Sequence, residues 1–201
     1  PCRSHGQMAG TRRRAPGHGR KFKVKSYLMP RRVYLDWNAT TPLRPEGRAA
    51  MAAAFDLPGN PSSVHAEGRQ ARRLVEDARA AVAAATGAIA RNVVFTSSGT
   101  EANALALSPG LRRAGGAAAR LLISSIEHAS VMAGGRFAPD DIATIAVTPS
   151  GVVDLGDLGA KLAGGPPALV SIMLANNETG ALQPILEAAE IVHEAGGLLH
   201  V

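Results

Sequence analysis

Three short polar clusters carry the residue types that chemistry needs, and each directly follows an apolar, strand-like run. The first is Phe95-Thr96-Ser97-Ser98-Gly99-Thr100-Glu101-Ala102-Asn103, which opens a helix-like stretch. Small residues at Ser97, Ser98 and Gly99 let a ligand approach the backbone. The free N–H groups of a helix start, with the Ser and Thr hydroxyls, make a ready anion site, so the cluster reads as a phosphate cradle. It has neither the Gly-Lys-Ser/Thr of a Walker A loop nor a Gly-x-Gly-x-x-Gly fingerprint. An ordinary N-cap uses the same residue types, and the motif alone does not separate the two readings. The second cluster is Ser124-Ser125-Ile126-Glu127-His128, at what would be the C-terminal edge of a sheet, where open α/β sheets bind ligands. A lone His there more often caps a helix or packs than catalyses. The third is Ala175-Asn176-Asn177-Glu178-Thr179-Gly180. Its paired amides can donate to a ligand oxygen, or simply form a polar turn closed by Gly180. Asp36-Trp37-Asn38-Ala39-Thr40-Thr41-Pro42 and Gly59-Asn60-Pro61-Ser62-Ser63-Val64-His65 read by themselves as loops.

The elements that must position these clusters alternate. Strand-like runs fall at 33–36, 92–96, 120–124, 142–147, 169–174 and 198–201, each short and bounded by turn residues. Helix-like runs span 45–55, 66–86, 100–107, 154–162 and 184–195. The first opens on Pro45, and the second ends at Gly87. Alternation of this kind predicts an α/β sheet, parallel at least in part. The continuous run from Leu169 to Leu174 suits a strand buried on both faces.

Composition narrows the field. Of 201 residues, 46% are hydrophobic, against global disorder, and only seven are aromatic, so Ala, Val, Leu and Ile must build the core. One cysteine, Cys2, excludes a disulfide framework and a cysteine metal cluster. His193 and His200 lack partners at ligand spacing, so no metal is expected. Lys161, the only lysine after residue 32, reads as a solvated side chain. No apolar run approaches a membrane span. The net charge of +6 is uneven: residues 1–32 carry ten Lys/Arg and no acid, while the remaining twelve Lys/Arg face all sixteen Asp/Glu, leaving −4. The body therefore gives no support to nucleic-acid binding. Residues 1–32 read as a basic, disordered leader: a transit peptide, a nucleic-acid arm, a membrane-surface tether, or a non-native extension. The last is favoured by a start at Pro1 and by Met29 just before the first strand-like run.

Taken in order and at their separations, the clusters from Leu35 to Pro42, Gly59 to His65, Val94 to Asn103, Glu127-His128, Val170 to Met173 and Asn176 to Gly180, closing with His200-Val201, resemble the cysteine desulfurases. These are class V aminotransferase-type enzymes that use pyridoxal 5'-phosphate (PLP). The resemblance covers residues 33–201. It implies a fold type I PLP-dependent transferase large domain, a three-layer α/β/α arrangement on a mostly parallel sheet, incomplete at its C-terminus. It implies that Gly99 and Thr100 bind the PLP phosphate and that His128 stacks on the ring and assists proton transfer. Asn177 would bond the ring hydroxyl oxygen, and Asn38, Ala39 and Thr40 would lie on the substrate side. Ser98 and Trp37 stand where the family more often has Gly, and Tyr or His.

The implied reaction converts L-cysteine to L-alanine and passes sulfur through an enzyme cysteine to an acceptor or scaffold protein, for iron–sulfur cluster assembly or thio-modification. The full-length protein would be a homodimer, cytoplasmic unless the leader is a transit peptide. In the family an Asp follows His-Val at once, with the Schiff-base lysine and the sulfur-accepting cysteine further on. The sequence given ends at Val201, and Lys161 precedes the Asn-Asn cluster. The chain is therefore expected to be an N-terminal piece, inactive alone. The alternatives are a selenocysteine lyase or another class V aminotransferase, and a non-catalytic truncated partner protein.

Overall fold

The computed structural model describes residues 33–113 and 116–201. The expectations for residues 1–32, leader and Cys2 included, lie outside the described residues. The chain divides into two units, Pro1–Thr41 and Pro42–Val201. In the described part of the first, residues 37–39 form a turn. The Tyr34 hydroxyl closes it by donating to the carbonyls of Asp36 (2.7 Å) and Thr40 (3.1 Å). The Trp37 indole N–H returns to the Tyr34 carbonyl at 3.0 Å.

The second unit holds helices α1 (Pro45–Phe55), α2 (Ala66–Thr86) and α3 (Gly99–Ala106), then a two-stranded hairpin, β1 (Arg112–Arg113) and β2 (Gly116–Ala117). There follow β3 (Arg120–Ser124), α4 (Ala129–Met132), β4 (Ile142–Ile145), α5 (Leu155–Leu162), β5 (Ala168–Ser171), α6 (Ile185–Glu194) and β6 (Leu198–His200). Strands β3 to β6 form one wholly parallel sheet in the order β4-β3-β5-β6. From β3 the chain steps outward to β4. It then recrosses to β5 on the other side of β3 and continues to β6. A right-handed crossover that reverses direction must carry its helix over the opposite face.

The cores show that reversal. Leu122, Ala168 and Val170 pack on one face with Leu158 and Leu162 of α5 and Ala188 and Val192 of α6. Leu121, Ile123 and Leu169 pack on the other with Leu107 at the end of α3, Val131 of α4 and Phe137. Alternate residues of β3 and β5 thus feed opposite cores, the period-two signature of a sheet covered on both sides. Each such fully buried Leu, Ile or Val contributes about 1.5–3 kcal/mol. The Arg120 guanidinium closes the C-terminal end of α5, donating to the carbonyls of Lys161 (2.7 Å), Leu162 (3.3 Å) and Pro166 (3.0 Å). These include carbonyls that a helix end leaves without partners. Buried Gln183 ties the loop before α5 to the segment before α6. Its amide oxygen accepts from Val153 N–H (2.9 Å), and its NH₂ donates to the Gly151 carbonyl (3.0 Å).

Two expected strands are absent. Residues 33–36 and 93–96 are not in strands, and residues 90–92 form a 3₁₀ turn. Apart from half-buried Val93 their apolar residues are exposed, Val33 and Val94 at 72% each. A strand exists only where a neighbour completes its ladder, and none among the described residues does so for either segment. Segment 93–95 is held instead by Arg79 of α2, which donates to the Val93 carbonyl and lies 5.2 Å from the Phe95 ring centre. Strand β3 has the bounds read from the sequence, while three others end earlier: β4 at Ile145, β5 at Ser171 and β6 at His200.

Candidate active site

The order β4-β3-β5-β6 creates one topological switch point. After β3 the chain leaves toward β4, and after β5 toward β6, so the crevice beyond the C-terminal ends of β3 and β5 is not crossed by a connection. Open α/β sheets bind ligands there. Glu127 and His128 follow β3, and the Asn-Asn turn follows β5. Two polar links clamp the crevice. The Glu127 carboxylate accepts from Met173 N–H, and Asn176 Nδ2 donates to the Ile126 carbonyl at 3.2 Å.

Burial pushes the Glu127 carboxyl above its ordinary range, against the Met173 N–H, the His128 N–H and the His128 charge, which pull it down. A carboxyl with a raised folded pKa holds its proton longer in the native state than in the unfolded one. Its contribution to stability therefore falls as pH rises, through the window between the ordinary glutamate value and the raised one. Glu127→Gln keeps an oxygen for Met173 N–H and removes the titration. The variant is expected to lose that fall in stability, read from urea midpoints across the window. Unchanged pH dependence in the variant would show that Glu127 is not its source. Asp157 has the opposite sign: the Ala146 N–H, then Lys161, hold its carboxyl below its ordinary range. Its stabilisation is lost as pH falls.

Helix α3 starts at Gly99, beside this crevice in chain order but built locally. Ser98 is its N-cap, accepting Glu101 N–H at 3.2 Å. The Glu101 carboxylate folds back onto Ser97, accepting its N–H (2.6 Å) and hydroxyl (2.7 Å), and these bonds hold it below its ordinary range. This corrects one detail of the cradle. The Ser97 donors are already used by an internal carboxylate. The Gly99 and Thr100 N–H groups stand at the first two positions of the helix, where no earlier carbonyl can serve them. A Cβ built on Gly99 meets nothing within 4 Å. The space a side chain would take there is open to a ligand oxygen, so the residues present fit a phosphate group.

His128 is the N-cap of α4. Its Nδ1 accepts Ser130 N–H at 3.1 Å and lies 2.8 Å from Ser130 Oγ. Asn103 of α3 donates through Nδ2 to that same Ser130 Oγ at 2.8 Å. The structure thus joins the cradle helix to His128 through side chains. The Asn pair divides its labour. Asn176 organises the turn, its Oδ1 accepting from Glu178 N–H (3.0 Å) and Thr179 N–H (2.9 Å). Asn177 is exposed, with Nδ2 donating to Glu178 Oε1 at 2.8 Å. Asn38 and Ala39 lie in the turn of the first unit and Thr40 directly after it, all three exposed. Lys161, read as a solvated side chain, is instead half-buried and paired with Asp157 along α5. No cluster of metal-ligating side chains occurs among the described residues. No helix among them is long and apolar enough to cross a membrane. Glu127 and Ser130 are the contributors that residue reading passed over as site residues. The signal for Ser130 is its place two residues after a capping His.

Residues 33–201 match the model of the aminotransferase class V family, and the chain belongs to that family. It is 43% identical over 172 residues to a cysteine desulfurase of Frankia sp. (strain EuIK1), covering 78% of this chain and 41% of that protein. It is 39% identical over 170 residues to the cysteine desulfurase IscS of Dictyoglomus turgidum, covering 83% and 43%. Among solved structures, a NifS-like protein from Rickettsia africae superposes with a TM-score of 0.74 at 38% identity, covering 84% of this chain and 46% of that one. The chain thus spans about two-fifths of the length of these curated relatives. A Sphingomonas wittichii serine palmitoyltransferase, 19% identical with a TM-score of 0.56, shares the fold alone. The three-layer α/β/α architecture on a parallel sheet is that of the fold type I PLP-dependent transferases.

Proposed function

We propose that the whole protein is a PLP-dependent cysteine desulfurase, converting L-cysteine to L-alanine and handing the sulfur to an acceptor or scaffold protein. The observation that carries this reading is the 43% identity to a cysteine desulfurase over 172 residues, within a chain whose residues 33–201, cradle, His128 and Asn turn included, match the class V family. When bound, the cofactor supplies an electron sink for the substrate's bonding electrons. The roles left to this chain are binding, orientation and proton handling. Gly99 and Thr100 hold the phosphate through helix-start N–H groups. Asn177 donates to the ring oxygen. His128 lies against the ring and moves a proton through Nε2. Asn38, Ala39 and Thr40 line the substrate side. We place the start of this domain at residue 33.

By the family resemblance the lysine and the cysteine that the reaction uses lie after the Asn-Asn turn, and residues 181–201 contain neither type. We expect no turnover from this stretch alone. We further propose a homodimer, iron–sulfur cluster assembly or thio-modification as the destination of the sulfur, and a reducing cytoplasm, because the sulfur carrier is a free thiol.

The test uses the complete gene product, purified with PLP and supplied with L-cysteine and a thiol reductant. Equal amounts of alanine and sulfide are expected. Alanine from selenocysteine only would move the reading to a selenocysteine lyase. Amino transfer to an oxo acid without sulfide would move it to another class V aminotransferase.

A further inference from the structure

We propose that Asn103 and Ser130 are positioning residues that fix the neutral His128 ring as its Nε2–H tautomer and lock it to helix α3. The argument needs only donor and acceptor inventories. Ser130 N–H is a donor and has no lone pair, so at 3.1 Å from Nδ1 it requires a lone pair on that nitrogen. A proton on Nδ1 would set two N–H groups against each other and remove the cap of α4. The neutral ring therefore carries its proton on Nε2. Asn103 Nδ2 is likewise only a donor, so Ser130 Oγ accepts from it at 2.8 Å. Ser130 Oγ also lies 2.8 Å from Nδ1, and with no proton on Nδ1 only the Ser130 hydroxyl can donate across that gap, sharing the single Nδ1 lone pair with Ser130 N–H. The bonds run one way: Asn103 N–H to Ser130 Oγ, Ser130 O–H to His128 Nδ1.

The placement of these residues supports a positioning role. Asn103 sits in the interior of α3, where Asn is a poor helix former. It is half-buried, where an amide needs a partner. Its partner is 27 residues away, on the helix that His128 caps. The relay links the two elements that meet at the candidate site. Among the described residues, Nε2 of His128 has no partner, so the nitrogen presented outward is an N–H donor. The functional consequence rests on the reading of His128 as facing the cofactor. The tautomer assignment does not.

The test is ¹⁵N NMR of the His128 ring in the complete protein, with and without PLP, alongside steady-state kinetics on L-cysteine. The wild type is expected to show one neutral tautomer, with Nδ1 unprotonated. Ser130→Ala and Asn103→Leu are expected to shift the Nδ1 resonance and to lower kcat about fivefold to tenfold with KM little changed, the scale of one lost hydrogen bond. Ser130→Thr, which keeps the hydroxyl, is expected to restore both. A wild-type ring protonated on Nδ1 overturns the proposal without any variant having to fold. So do variants whose ring resonances and kcat match the wild type. If the ring behaves as expected while the protein neither binds PLP nor turns over cysteine, the functional reading fails and the tautomer assignment stands.

Discussion

Replacing His128 by alanine is expected to lower kcat on L-cysteine by about 10²–10⁴, the usual weight of a general acid or base, while PLP stays bound. The cofactor should remain because the proposed phosphate donors, Gly99 and Thr100 N–H, belong to α3, which starts independently of the imidazole. Alanine also removes the cap of α4, since Nδ1 no longer accepts Ser130 N–H, at a cost of about 1 kcal/mol. His128→Asn separates the two effects. Asn is a good N-cap and has no group to move a proton at neutral pH. Stability close to wild type with the rate still lost assigns the chemistry to the ring. A fall in kcat of less than about tenfold in His128→Asn would reduce His128 to a cap.

The parts legible in the sequence were those with local causes. Helix α1 begins at Pro45 because a first-turn proline gives up no hydrogen bond. Helix α2 ends at Thr86 because Gly87 takes a left-handed conformation, φ 69°. Helix α5 begins after Asp154, whose carboxylate accepts from Gly156 N–H at 2.9 Å and Asp157 N–H at 3.1 Å. Strand ends were less legible because pairing is a property of the neighbour. Val147 reads as the continuation of β4, yet it pairs antiparallel with Val153 instead. The runs at 33–36 and 92–96 have strand composition without a ladder. The same distinction governs the site. Gly99, Thr100, His128 and Asn177, the residues proposed for the site, each sit in a motif contiguous in sequence. The Glu127 clamp onto Met173 spans 46 residues, and the Asn103–Ser130 bond spans 27. Only the sheet order, which sets β3 beside β5 and α3 beside α4, brings those partners together.

Gly99→Val is expected to leave the fold intact and to cost about 10²–10⁴ in affinity for PLP, as two hydrogen bonds to a charged phosphate are lost. The fold should tolerate it because a Cβ at Gly99 meets no protein atom within 4 Å. Gly99 also stands in the first turn of α3 without a positive φ, where a side chain costs no backbone strain. Any penalty must then fall on what approaches the helix start from outside. Gly159→Ala in α5 is the control, since a Cβ there also meets nothing within 4 Å. It should gain about 0.5–1 kcal/mol of helix stability and leave PLP affinity as it was. Cofactor titration and thermal melts of both variants read the two quantities separately. Normal melting with lost affinity in Gly99→Val alone ties the phosphate to the front of α3. Wild-type affinity in that variant would place the phosphate elsewhere, and the N–H groups of Gly99 and Thr100 would then belong to an ordinary helix start.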